Sequence, residues 1–212
     1  VIPGFPDNPS TNVSQRNEAF EFIKAWLGTA LAFAVLYRDL PLSFVTILLI
    51  TGFTAGLGVV LHELAHRVVA RYFGATAHFI ANDMMLVLSI VIAFFGFLFA
   101  APGAVWHSGW LTKRQSGLVA AAGPITNMVL ALLFLGALVI AQVAFRSNVV
   151  IYGLYLGFSI NALLGIFNML PFGPIDGAKV LNWSGVAFGV LIGIAALIAF
   201  VLPRLLGLPG VF

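Results

Sequence analysis

The sequence predicts an all-α polytopic membrane protein of about five to six transmembrane helices, and three observations predict it. Hydrophobic residues make up 61% of the chain and charged residues 8%, against about 25% charged in a soluble domain. Several apolar runs reach the roughly 20 residues that a helix needs to cross a bilayer. Short polar breaks, Arg38–Pro41 and Arg146–Asn148 among them, separate those runs. At 212 residues, positions 1–212 read as one transmembrane domain.

Charge and cysteine content narrow the chemistry. The net charge of +3 comes from only ten Lys and Arg. No basic patch interleaved with aromatics exists, so nucleic acid is excluded as a partner and the lipid bilayer is the surface that the composition requires. The absence of cysteine excludes disulfides and thiolate metal sites. Any metal ligands must be His, Asp or Glu. Residues 1–19 are polar and are not expected to form a signal peptide.

The elements follow in order. Residues 1–13, with Pro3, Pro6 and Pro9, read as irregular. Residues 14–25 read as a short interfacial helix with Glu18, Glu21 and Lys24 facing water. Spans are expected at 22–37, 42–72, 117–145, 149–171 and 184–202. Residues 84–101 have two readings. One is a sixth span; the other is a re-entrant β-hairpin after the helix carrying His62, with strands Leu86–Phe95 and Phe97–Trp106 broken at Gly96. Gly52/Gly56, Gly153/Gly157 and Gly185/Gly189/Gly193 suit close helix contacts in lipid.

The chemistry begins at His62-Glu63-Leu64-Ala65-His66, late in the 42–72 run. Residues i and i+4 share one helix face. Two imidazoles so placed can hold one zinc ion, and the intervening glutamate can activate a water. An ionisable residue inside a span costs about 2.5–3.5 kcal/mol on insertion scales, which makes Glu63 a functional candidate. Zinc hydrolases usually have a third protein ligand. The unplaced carboxylates are Asp7, Glu18, Glu21, Asp39, Asp83 and Asp176. Asp176 stands between two apolar runs, where Pro171 and Pro174 open the backbone. Its position alone fits a ligand and a turn aspartate capping the segment from Ala178 equally well.

These residues resemble the site-2 protease family of intramembrane zinc metalloproteases. His62-Glu63-x-x-His66 matches the family's HExxH; Asn168, Pro171, Asp176 and Gly177 match NxxPxxxxDG; Ala122-Gly123-Pro124 is similar to the Gly-Pro motif of the intervening core helix. The resemblance covers about residues 42–183. It implies His62, His66 and Asp176 as ligands of one zinc ion, Glu63 as the catalytic acid/base, and Asn168 as the holder of the substrate carbonyl or oxyanion. It implies transmembrane proteins as substrates. No appended PDZ or CBS domain is evident. Two alternatives stand beside it, a non-catalytic membrane binding protein and a zinc transporter. The intact Glu63 argues against the first. The single cluster of intramembrane ionisable groups argues against the second, which needs several sites along a path.

One ion can be shared only by ligands at one depth, so the zinc reading requires residues 84–101 to re-enter rather than cross. Arg16, Lys24, Arg67, Arg71, Lys113, Arg114 and Lys179 then lie on one side, and Arg38, Arg146 and Arg204 on the other. The positive-inside rule places the site towards the cytoplasmic face. The re-entrant segment is expected to pair with an extended substrate by strand addition. The remaining polar groups take plainer readings. His78 and His107 are read as surface or hydrogen-bonded histidines, Lys113 and Arg114 as orientation charges, and Asn127 as a helix–helix hydrogen bond before a substrate contact.

Overall fold

The computed structural model describes residues 17–97, 103–144 and 147–208. The irregular 1–13 stretch, Asp7, Arg16 and Arg146 lie outside those residues. Among the described residues, five helices are long and apolar enough to span: α1 (Glu18–Leu36), α2 (Phe44–Tyr72), α4 (Lys113–Ala144), α5 (Asn148–Phe167) and α7 (Gly185–Leu205). Between them lie β1 (Thr76–Ala81), α3 (Asp83–Ala93), β2 (Gly103–Ser108) and the short α6 (Asp176–Trp183). The protein is an all-α polytopic membrane protein with one small two-stranded sheet.

The 14–25 reading needs correction. Helix α1 begins at Glu18, after Asn17 whose side chain accepts from the Ala19 N–H, and continues unbroken to Leu36. Glu18, Glu21 and Lys24 do not simply face water. Glu18 Oε1 accepts from the Phe79 N–H at 3.0 Å and Glu21 Oε2 from the Ala81 N–H at 3.0 Å. Glu18 Oε2 also pairs with Arg67 at 2.7 Å, and Lys24 pairs with Asp83 at 2.8 Å. The carboxylates of α1 therefore take up the outer edge of β1, a row of donors that would be costly to leave unpaired in lipid.

A two-stranded hairpin is present, but its strands lie elsewhere. Residues Asp83–Ala93, which include most of the expected strand Leu86–Phe95, form α3. Asn82 caps it by accepting from the Met85 N–H at 3.1 Å. A helix satisfies its own backbone in an apolar setting and an isolated strand does not, so β-branching loses to hydrogen bonding here. The strands form on either side. β1 and β2 pair antiparallel from Thr76↔Ser108 to Ala81↔Gly103. Residues 98–102 of the expected second strand lie outside the described residues. Helix α3 has 11 residues, about 16 Å of rise, against a hydrocarbon core of about 30 Å. It lies along α1, from the Lys24–Asp83 pair to Arg38, whose guanidinium donates to the Ala93 and Phe94 carbonyls. The flanks of the segment, Ala81 and Gly103, are opposite one another. The chain thus enters and leaves on one face.

The rest of the bundle fixes α2. A π turn, Gly52–Gly56, interrupts it, and Trp26 Nε1 on α1 donates to the Gly52 carbonyl at 2.8 Å. Helices α4 to α7 share a core that includes Met128, Leu135, Phe158, Met169, Val180 and Ile198. The glycine pairs divide. Gly56 packs on Trp26 and Gly157 on Phe134, whereas an added Cβ at Gly185, Gly189 or Gly193 would meet nothing within 4 Å. That stripe of α7 faces open space.

The sequence has no cysteine, so single cysteines can report side. Probes at Asn82 and at Ala104 are expected to react with an impermeant thiol reagent from the same side of the membrane. Labelling from opposite sides would contradict the β1–β2 pairing.

Candidate metal centre

His62 and His66 lie on the face of α2 that meets α4, and both are buried. Each imidazole has one nitrogen committed. His62 Nδ1 is 2.6 Å from Asn127 Oδ1, and His66 Nδ1 is 2.7 Å from the Val119 carbonyl oxygen. Both partners accept, so Nδ1 carries the proton in each ring. Both Nε2 atoms are then bare lone pairs, 3.0 Å apart.

Asp176 completes the cluster. Helix α5 ends at Phe167, with Asn168 as its C-cap. The chain then turns through Pro171 and Pro174 and starts α6 at Asp176. No side chain caps that start, so the capping reading of Asp176 falls away. Its Oδ2 lies 3.3 Å from His62 Nε2 and 3.0 Å from His66 Nε2. Its Oδ1 accepts from Lys179 Nζ at 3.2 Å. Ionised, this carboxylate is an anionic donor.

Three acceptor atoms so close repel one another unless a cation lies among them. Ligand atoms about 2.0–2.1 Å from a tetrahedral zinc are roughly 3.3 Å apart, close to the separations of 3.0, 3.0 and 3.3 Å found here. His62, His66 and Asp176 are one buried group able to hold a metal ion. With imidazole and carboxylate donors and no thiolate, the set fits zinc.

Two glycines make this approach possible. A Cβ at Gly123, on α4, would collide with the Nε2 atoms of both histidines. A Cβ at Gly177 would collide with the backbone of Met169 and Leu170. The Gly177 N–H instead donates to the Asn168 carbonyl at 2.7 Å, closing the 168–177 turn. Val119, also on α4, offers its carbonyl to His66.

Glu63, also buried, faces the same cavity, of about 430 Å³, with the three ligands, Asn127, Asn168, Gly173–Ile175 and Lys179. Asn168 donates one amide proton to the Leu164 carbonyl at 3.0 Å. Val105 lines the cavity with Glu63. This follows from strand parity. Phe79 and Ala81 turn their backbone groups towards α1, so alternation makes His78↔Trp106 and Ile80↔Ala104 the bonded pairs. Gly103, Val105 and His107 then present their backbone groups away from β1, and Gly103 and Val105 line the cavity. His78 lies half-buried on β1, outside the metal group, and His107 is on β2. Asn127 makes the helix–helix hydrogen bonds that the sequence suggested, to α2 and α5. Sequence reading missed the Val119 carbonyl, the collision that Gly123 avoids, and that one of the Asn127 partners is His62.

The chain is 39% identical over 159 residues to "Putative zinc metalloprotease MJ0611" of Methanocaldococcus jannaschii, covering 73% of this chain and 79% of that protein. The chain belongs to the site-2 protease family of zinc metalloproteases. It is 33% identical over 165 residues to "Putative zinc metalloprotease YwhC" of Bacillus subtilis, covering 69% of this chain and 72% of that one. To "Putative zinc metalloprotease Rip3" of Mycobacterium tuberculosis it is 32% identical over 139 residues, 31% of that longer protein. No family model and no solved structure matches.

Gly123→Ala is expected to lower zinc retained per chain, after dialysis against a chelator, by about tenfold or more, since overpacking costs about 1–3 kcal/mol. Gly136→Ala on the same helix, where a Cβ meets nothing within 4 Å, is expected to leave it unchanged. Elemental analysis of the purified variants checks both.

Proposed function

We propose that the protein is an intramembrane zinc metalloendopeptidase, hydrolysing peptide bonds within or near transmembrane segments of membrane-protein substrates. The observation that carries this reading is Glu63 beside His62, His66 and Asp176, in one cavity walled by α2, α4, α5 and the edge of β2. Zinc bound there supplies Lewis-acid polarisation of the scissile carbonyl and of the attacking water.

The chain's own residues do the rest. Glu63 takes the proton of the attacking water and passes it to the leaving amine. The second amide proton of Asn168 is free for the carbonyl oxygen as it gains charge. A helical substrate hides its backbone, so the segment around the scissile bond unwinds. The outward edge of β2 at Gly103 and Val105 then takes it as an added strand, in the role expected of the re-entrant segment. The turn Gly173–Ile175 lines the route by which water reaches the site. Lys24, Arg67, Arg71, Lys113, Arg114 and Lys179 put this face on the cytoplasmic side by the positive-inside rule. Such an enzyme fits a step of regulated intramembrane proteolysis.

Reconstituted with zinc, the parent chain is expected to cleave a single-span substrate carrying helix-weakening residues. Glu63→Gln is expected to lose about 10²–10⁴ of the rate while retaining its zinc. Cleavage that survives Glu63→Gln, or none by the zinc-loaded parent, would contradict the reading.

A further inference from the structure

The two histidines are held by unlike means. His66 Nδ1 gives its proton to a backbone carbonyl, Val119. His62 Nδ1 gives its proton to a side chain, Asn127, and an amide can rotate by half a turn. Rotated, Asn127 would present N–H to His62 Nδ1. The ring would then carry its proton on Nε2, the atom facing His66 and Asp176. That rotation is opposed by the Gly58 carbonyl and, one helix further out, by a second amide.

Asn161 on α5 donates from Nδ2 to the Gly157 carbonyl of its own helix at 2.9 Å. A backbone carbonyl can only accept, so the orientation of Asn161 is settled from that end. Its Oδ1 must face inward, and it accepts from Asn127 Nδ2 at 3.0 Å. Asn127 Nδ2 also lies 3.3 Å from the Gly58 carbonyl. Asn127 Oδ1 is thereby turned to His62 Nδ1. The chain runs in one sense, from the Gly157 carbonyl through two amides to the imidazole. Both asparagines are 0% exposed, so water cannot stand in for either. Gly58, one helical turn before His62, makes room for it: a Cβ there would collide with Asn161 Oδ1.

We infer that Asn161 is a positioning residue for the metal centre: acting through Asn127, it locks His62 in the Nδ1–H tautomer and so sets zinc affinity without touching the ion. It rests on the metal reading of His62, not on the protease reading. Groups that orient metal-binding histidines typically carry about 10–100-fold in metal affinity.

The test uses the full chain in detergent, with Asn161→Leu, which keeps the volume and removes the amide, and Asn161→Ala beside it so that the result does not hang on one variant folding. The sequence has only four histidines, so their ring nitrogens can be followed by nitrogen-15 NMR in metal-free protein above the imidazole titration range. In the parent, both His62 and His66 are expected as Nδ1–H. In the variants His62 shifts towards Nε2–H while His66 stays, which also reports that the fold is kept. The zinc dissociation constant, measured by chelator competition, is expected to rise about 10–100-fold. Adding Asn127→Asp, whose carboxylate accepts from Nδ1 in either orientation, is expected to restore both readouts in the Asn161→Leu background. An unchanged dissociation constant overturns the inference, and so does a weakened one with His62 still Nδ1–H. A parent chain that binds no zinc would instead fail the metal reading itself.

Discussion

Three acceptor atoms from two distant stretches of chain meet at one buried point, and most of the architecture can be read as the means of bringing them there. His62 Nε2, His66 Nε2 and Asp176 Oδ2 lie within 3.3 Å of one another. Each imidazole has given its proton to a partner on the far side of the ring. Such a cluster is unfavourable alone and becomes favourable around a cation, because nothing in a low-dielectric interior screens the repulsion. The same arrangement leaves Glu63 beside the site and free of the ligand set.

Depth is the constraint that follows. Helix α2 brings the histidines to one level, and α5 must bring Asp176 to the same level from the other end of the chain. Helix α3 and the β1–β2 pair provide this by entering and leaving on one face, so that the later helices keep their sense. That hairpin is costly to place in lipid unless its edges are satisfied. On the outer side Glu18 and Glu21 accept from β1. On the inner side Gly103 and Val105 line the cavity with Glu63. One element thus sets the topology and forms a wall of the cavity.

Much of this was legible in the sequence, because its signals were chemical rather than conformational. The spacing of His62 and His66 on an apolar helix fixed a shared face, and the prolines around Asp176 marked an opened backbone. The spans were legible because their length answers to bilayer thickness. The strands were not. β-Branched residues at 86–95 suggested a strand, but a backbone in an apolar setting bonds to itself first, and the sheet formed where carboxylates of α1 could take its edge. Glu18 and Glu21 looked like solvent-facing charges because their partners are backbone N–H groups some 60 residues away, which no local pattern encodes. Asn127 was visible as a polar residue in a span, but its orientation depends on a carbonyl on α5, reached through Asn161.

The central claim is that His62, His66 and Asp176 bind a single zinc ion. X-ray absorption at the zinc edge, on detergent-purified protein after removal of loosely held metal, tests it most directly. One zinc per chain is expected, with a first shell of nitrogen and oxygen whose multiple-scattering pattern counts two imidazoles, falling to one in His66→Ala. A tightly held ion without that imidazole pattern, or no retained zinc, would contradict the account.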